Sequence, residues 1–200
     1  MRTVSIALVA VAMLVVATGS MSAQPKMGIS GAVDVLIPVG SWGDAVGVGF
    51  GGDVQYQYNF TPNVSAGVTT GYFSWGGKSQ NGVDLPGYKG LPFRLLFKYY
   101  FMPPKKQGIR PYAGAEAGLF FGSTGDVTVN TGIPGFGSYT ISGGSSTDFN
   151  YVIEVGADYP VSADGKTCVT GNVRWDAIAT SGTSANNLAF RIGVLYGFGN

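Results

Sequence analysis

Residues 46–60, VGVGFGGDVQYQYNF, alternate strictly. Val46, Val48, Phe50, Val54, Tyr56, Tyr58 and Phe60 occupy even positions, while Gly47, Gly49, Gly51, Asp53, Gln55, Gln57 and Asn59 occupy odd ones. Side chains of a strand point alternately to opposite faces, so this period predicts one long strand with an apolar face and a small or polar face. Gly47, Gly49 and Gly52 also carry the G-x-G-x-x-G spacing of a dinucleotide-binding loop. Such a loop must open a helix. Here the alternation runs on through Phe60, which excludes the nucleotide reading.

Seven further segments alternate in the same way: 27–37, 64–75, 91–101, 111–122, 148–159, 168–178 and 188–198. In 91–101 the apolar set is Leu91, Phe93, Leu95, Phe97, Tyr99 and Phe101, opposite Arg94 and Lys98. In 148–159 it is Phe149, Tyr151, Ile153, Val155 and Tyr159, opposite Asn150, Glu154 and Asp158. The eight predicted strands are close to the roughly 9–11 residues that cross a bilayer at a tilt. Their connections alternate in length. Residues 61–63, 102–110 and 160–167 are short, whereas 76–90 and 123–147 are longer and rich in Gly, Ser, Thr and Asn. Short turns at one end and long loops at the other are the pattern of an eight-stranded antiparallel up-and-down transmembrane β-barrel, all-β, with the long loops outward.

Alternation does not say which face is outside. In a soluble sandwich or lipocalin-like barrel the apolar face points inward. Three features favour lipid. The polar face carries Gly, Ser, Thr, Asn and Gln with little Lys, a poor soluble surface. Aromatic residues gather towards strand ends: Tyr58, Phe60, Tyr99, Phe101, Tyr159, Tyr196 and Phe198 at the turn end, and Tyr72, Phe93, Phe121, Phe149, Tyr151 and Trp175 nearer the loops. Such girdles mark the two membrane interfaces. Glycines on the polar face suit a lumen too narrow for eight rows of large side chains.

Composition agrees with this picture. Only 12% of the 200 residues are charged, 33 are glycine, and the formal net charge is +1, which gives nucleic acid no electrostatic purchase. Residues 1–23 combine Arg2, an apolar run and a small-residue end, as in a secretory signal peptide, with cleavage after Ser22 or Ala23. The barrel domain is then expected over 24–200. The lone Cys168 cannot form an internal disulfide and is expected to be a small half-buried side chain.

The whole mature segment resembles the small eight-stranded outer-membrane β-barrel family, of the OmpA/OmpX/OmpW-like kind. The last strand, RIGVLYGF, carries the sharpest local match: Arg191, Gly193, Tyr196 and Phe198 follow the terminal pattern read by the barrel assembly machinery of that family, although Gly199 and Asn200 extend beyond the final aromatic. The resemblance implies signal-directed export, periplasmic chaperones, insertion into outer-membrane lipid and a monomeric barrel. It specifies no single activity.

There is no histidine, which excludes Ser-His-Asp and Cys-His catalysis and histidine-based metal sites. The outer-membrane barrel enzymes that this chain superficially resembles, namely palmitoyl transferases, lipid A deacylases, phospholipases and omptin proteases, rely on one. The expectation is therefore no enzyme and no cofactor.

What remains is the interior charge. Asp34, Asp53, Arg94, Lys98, Glu116, Asp148, Glu154, Asp158, Arg174, Asp176 and Arg191 all fall on the polar face. The core of this network is Arg94, Lys98, Glu116, Glu154, Arg174, Asp176 and Arg191. It reads as a register-fixing plug, or alternatively as a narrow conduit for small solutes or hydrophobic compounds. A soluble barrel binding a lipophilic ligand is a third reading. Hairpin arithmetic predicts Glu154 opposite Arg174, Glu116 beside Glu154 with Lys98 relieving their repulsion, and Asp176 opposite Arg191. Loops 76–90 and 123–147 are candidate contacts for an extracellular partner. Lys105 and Lys106, in a turn, are expected to be solvated.

Overall fold

The computed structural model describes residues 25–80, 83–104, 108–130, 138–180 and 184–199. The signal-peptide segment, Lys105 and Lys106 lie outside these residues. Eight strands form one closed barrel: β1 (Met27–Val39), β2 (Val46–Asn59), β3 (Val64–Gly77), β4 (Tyr88–Tyr100), β5 (Arg110–Thr124), β6 (Ser145–Pro160), β7 (Thr167–Ala179) and β8 (Ser184–Phe198). Every strand pairs antiparallel with its sequence neighbours. β1 closes on β8, with Met27 opposite Phe198 and Asp34 opposite Arg191. Closure leaves no edge, so every strand ladder is satisfied within the barrel.

The apolar positions face outward. Ile153 is 62% exposed while its neighbour Glu154 is 1% exposed. The same contrast recurs around the wall, with Val33, Phe50, Leu95 and Ile192 outside and Asp34, Asp53, Arg94 and Arg191 inside. This arrangement is the reverse of a soluble lipocalin-like barrel and excludes that reading. The girdle aromatics Tyr58, Phe60, Tyr99, Phe101, Tyr159 and Tyr196 are exposed near the turn end, and Tyr72, Phe93, Phe121, Phe149, Tyr151 and Trp175 are exposed on the same outer face nearer the loops.

The strands run further towards the loops than the alternation indicates, β4 starting at Tyr88, β6 at Ser145 and β8 at Ser184. Two small ribbons continue beyond them, Ser79–Gln80 with Val83–Asp84 and Val127–Asn130 with Ser138–Ile141. A one-turn helix, α1 (Ser41–Ala45), links β1 to β2. At the opposite end, 161–166 forms a tight turn. The Ser162 hydroxyl and the Lys166 amide donate to Asp164, and these bonds hold its carboxyl below the usual range.

Two apolar positions depart from the expected face. A register shift between Val46 and Gly49 marks a β-bulge, which changes the phase of alternation and turns Val46 inward. Val64, beside the 60–63 turn, is also buried.

Candidate functional site

The lumen is the candidate site, and it is layered. Nearest the loops lies an apolar plug of Leu36, Val46, Phe73, Trp75, Tyr88, Phe120, Ile178, Ala185 and Ala189, with Trp42 and Ala45 of α1 packed on top. Trp75 sits among Trp42, Phe73, Tyr88 and Phe120 at ring-centroid separations of 5.8–6.2 Å. Its indole N–H donates to Asn187 Oδ1 at 3.0 Å. The glycine-rich part of β2 explains how these rings fit. Gly49 lies opposite Trp75 and Gly51 opposite Phe73. A Cβ at Gly49 would come within 2.5 Å of the indole, and one at Gly51 within 2.1 Å of the Phe73 ring. The glycines are vacancies for aromatic side chains of the next strand.

Below the plug lies a guanidinium lattice. Arg94 on β4 pairs with Glu116 on β5 at 2.6 Å and reaches across the lumen to Asp176 on β7 at 3.0 Å. Asn150 accepts from Arg94 and donates to Asp176 at 2.7 Å. Gln55 and Thr69 both donate to Glu116. Arg174 on β7 spans to Asp34 on β1 at 2.7 Å and to Asp53 on β2 at 3.1 Å. Arg191 on β8 pairs with Asp53 at 2.8 Å and donates to Ser30 at 3.0 Å. The side chains of all these pairs are 0–3% exposed. Phe73 joins the two layers, its ring lying 5.9 Å from the Arg94 guanidinium and 5.6 Å from that of Arg174.

The turn-side layer is different. Lys98 donates to Gln55 at 3.0 Å and lies 4.7 Å from the Tyr112 ring centroid. Glu154 accepts from Asn172 at 2.7 Å, and Tyr100 donates to Asp158 at 3.0 Å. Among the described residues neither Lys98 nor Glu154 has a direct ion pair. The buried acceptors Glu154 Oε1, Asp158 Oδ1 and Asn172 Oδ1 and the Thr170 hydroxyl have no partner. Tyr100 and Tyr112 close this end at 5.4 Å, and Arg110 stacks on Tyr100 with its guanidinium carbon 3.5 Å from the ring centroid.

The sequence-derived network residues Arg94, Lys98, Glu116, Glu154, Arg174, Asp176 and Arg191 are thus all buried in the lumen, but they are wired differently from the hairpin arithmetic. Glu154 does lie opposite Arg174, yet Arg174 turns across the barrel to Asp34 and Asp53, where it meets two carboxylates. Glu116 lies opposite Val152, two residues from the predicted register. Arg94 neutralises it, and Lys98 is linked to it through Gln55, which accepts from Lys98 and donates to Glu116. Arg191 lies opposite Asn172 on β7 and Asp34 on β1, and Asp176 opposite Asn187, because the β7–β8 ladder continues to Ala179 and Ser184. Asp148 is half-exposed at the mouth instead of inside the lumen. Asp53 and Asp34, absent from the predicted network core, both belong to the lattice, Asp53 held by two guanidiniums and Asp34 by one; their inward parity was the available signal.

No protein-family model and no curated protein matches the sequence. Solved structures do match. Neisserial surface protein A (NspA) is 16% identical over 88% of this chain and all of its own, with a TM-score of 0.58. The outer membrane protein OprG from Pseudomonas aeruginosa is 13% identical over 88% of this chain and 98% of its own, with a TM-score of 0.59. Ail, the attachment invasion locus protein of Yersinia pestis, is 11% identical over 89% of this chain and all of its own, with a TM-score of 0.51.

The fold is that of the small outer-membrane barrels. The exposed apolar wall and its aromatic girdles form the lipid-facing surface such a barrel requires. The terminal-strand residues fit that surface. Tyr196 faces outward and stacks on Phe198 at 6.4 Å and 17°, while Arg191 and Gly193 lie on the other face of β8. Among the described residues no group of His, Cys, Asp and Glu is arranged to hold a metal ion, and Cys168 is a half-buried free thiol.

Proposed function

We propose that the protein is a closed, monomeric outer-membrane barrel with a structural or surface-contact role, no catalytic activity and no cofactor. Its lumen is a filled core, and its loops 76–90 and 123–147 are the surface offered to an extracellular partner. One observation carries this reading: the ion pairs that cross the lumen are buried, with side chains 0–3% exposed, and an aromatic plug lies over them. A conducting pore would need a continuous wet path, and the Arg94–Asp176 and Arg174–Asp34 contacts lie across it. Arg191, Gly193, Tyr196 and Phe198 serve as the assembly signal for the insertion machinery.

Planar-bilayer recording of the purified protein tests the closed lumen. The expected result is a silent membrane. Discrete, reproducible ohmic steps would reject it and favour the second reading, a narrow conduit. The observation on that side is the set of unpartnered buried acceptors near Asp158 and Glu154, which polar logic fills with water. Retention in outer membranes through high-salt and carbonate washing tests integral insertion separately.

A further inference from the structure

Above the plug, the loop-end mouth contains a cavity of about 460 Å³ whose walls include Trp42, Val46, Leu85, Pro86 and Tyr88. That volume lies within the roughly 300–1,000 Å³ typical of small-molecule sites. Trp42 and Tyr88 meet with centroids 5.4 Å apart and ring planes at 88°, so two aromatic walls form a right-angled corner. Both rings rest on Trp75, at 6.2 and 5.8 Å, which makes the plug the floor of the cavity. Among the described residues, the only charged one on the lining is Asp148. It accepts the Ser146 hydroxyl at 2.6 Å and, among the described residues, makes no ion pair. The helix that carries Trp42 is tied down by Lys78, whose ammonium donates to the Gly43 carbonyl at 2.5 Å.

From this geometry we propose that the mouth is a binding site for a small organic cation with an apolar body, such as an aromatic quaternary amine. Charge complementarity within an apolar enclosure selects this occupant. A cation beside aromatic faces gains from their quadrupoles, most when it is partly desolvated. An unpaired carboxylate on the rim supplies the counter-charge, while Val46, Leu85 and Pro86 receive the hydrocarbon. An anion would meet Asp148 at the rim, and a neutral apolar molecule would gain nothing from it. Because the floor is packed, the site is a cup and not the entrance to a path. It stands apart from the lumen reading, since a barrel that conducted could still bind the cation here.

The test is calorimetric titration of the folded barrel in neutral maltoside micelles with benzyltrimethylammonium, with benzyl alcohol and benzoate as uncharged and anionic comparators. Saturable one-to-one binding of the cation is expected, together with a preference over both comparators. Asp148→Asn should weaken the cation about tenfold and leave benzyl alcohol unaffected. Trp42→Ala should abolish binding, and Trp42→Phe should retain part of it. Each variant is checked for folding by its unboiled gel migration. Absence of saturable binding overturns the proposal. Equal affinity for benzyl alcohol, or indifference to Asp148→Asn, also overturns it and leaves only a neutral apolar pocket.

Discussion

The two halves of the lumen solve the same problem in opposite ways. On the loop side, three guanidiniums bridge four carboxylates across the barrel, and aromatic rings seal the space above them. On the turn side, Lys98 and Glu154 are equally buried but meet neutral partners. Arginine has five donors in a rigid fork and can hold two carboxylates at once, whereas lysine is a point charge on a flexible stem. The comparison teaches that charge in a narrow barrel is not uniform filling. One half is a lattice of ion pairs, and the other is held by neutral partners and aromatic rings.

The largest expected effect comes from removing the centre of the lattice. Arg174→Met strands Asp34 and leaves Asp53 to Arg191 alone, so unfolding in detergent should show a loss of about 3–5 kcal/mol. Trp75→Ala opens the plug and frees Asn187, with an expected loss of about 3–5 kcal/mol by the same measurement. Gly51→Ala should cost about 1–3 kcal/mol through overpacking against Phe73, and Phe73→Leu in the same chain should relieve part of it. If all three variants were near neutral, the loop-side half would be no tighter than the turn-side half.

Much of this layout was readable from the chain. The faces were, because a strand repeats every two residues and the phase is visible in 46–60 and 91–101. Arg94, Lys98, Glu116, Glu154, Arg174, Asp176 and Arg191 could therefore be assigned to one interior. Their partners could not. Pairing depends on strand register, and the β7–β8 ladder runs closer to its loop than the hydrophobic pattern suggests. Long arginine side chains also reach across the lumen, so the neighbour in sequence-paired strands need not be the partner in space. Phe73 and Trp75 share the odd parity of Ser65 and Thr69, which was the available signal that they point inward. Their meaning emerges only when β2 is set against them and Gly49 and Gly51 fall opposite. The same glycines that mimic a nucleotide loop are the space an aromatic plug needs.

Smaller effects sharpen the contrast from the turn side. Glu154→Gln should change stability by no more than about 1 kcal/mol, because no ion pair is broken. Its cycle with Arg174→Met should be close to additive, within about 0.5 kcal/mol, despite their opposed positions in the ladder. Coupling of several kilocalories would instead join the two halves into one network. Phe198→Ala should alter stability least. It should lower the amount of barrel inserted in cells while refolding in detergent stays near normal. Wild-type insertion would remove its assembly role.

The dryness of the lattice is most directly read from a double-mutant cycle on Arg94→Met and Glu116→Gln, whose side chains meet at 2.6 Å with no exposure. Arg94→Met strands Glu116 and Asp176, Glu116→Gln leaves Arg94 with Asp176 alone, and the double variant strands Asp176 only. A closed, dry lumen predicts a coupling energy above about 2 kcal/mol in detergent unfolding, with the double variant more stable than the sum of the singles implies. Additive effects with coupling below about 1 kcal/mol, as at a solvated ion pair, would contradict it.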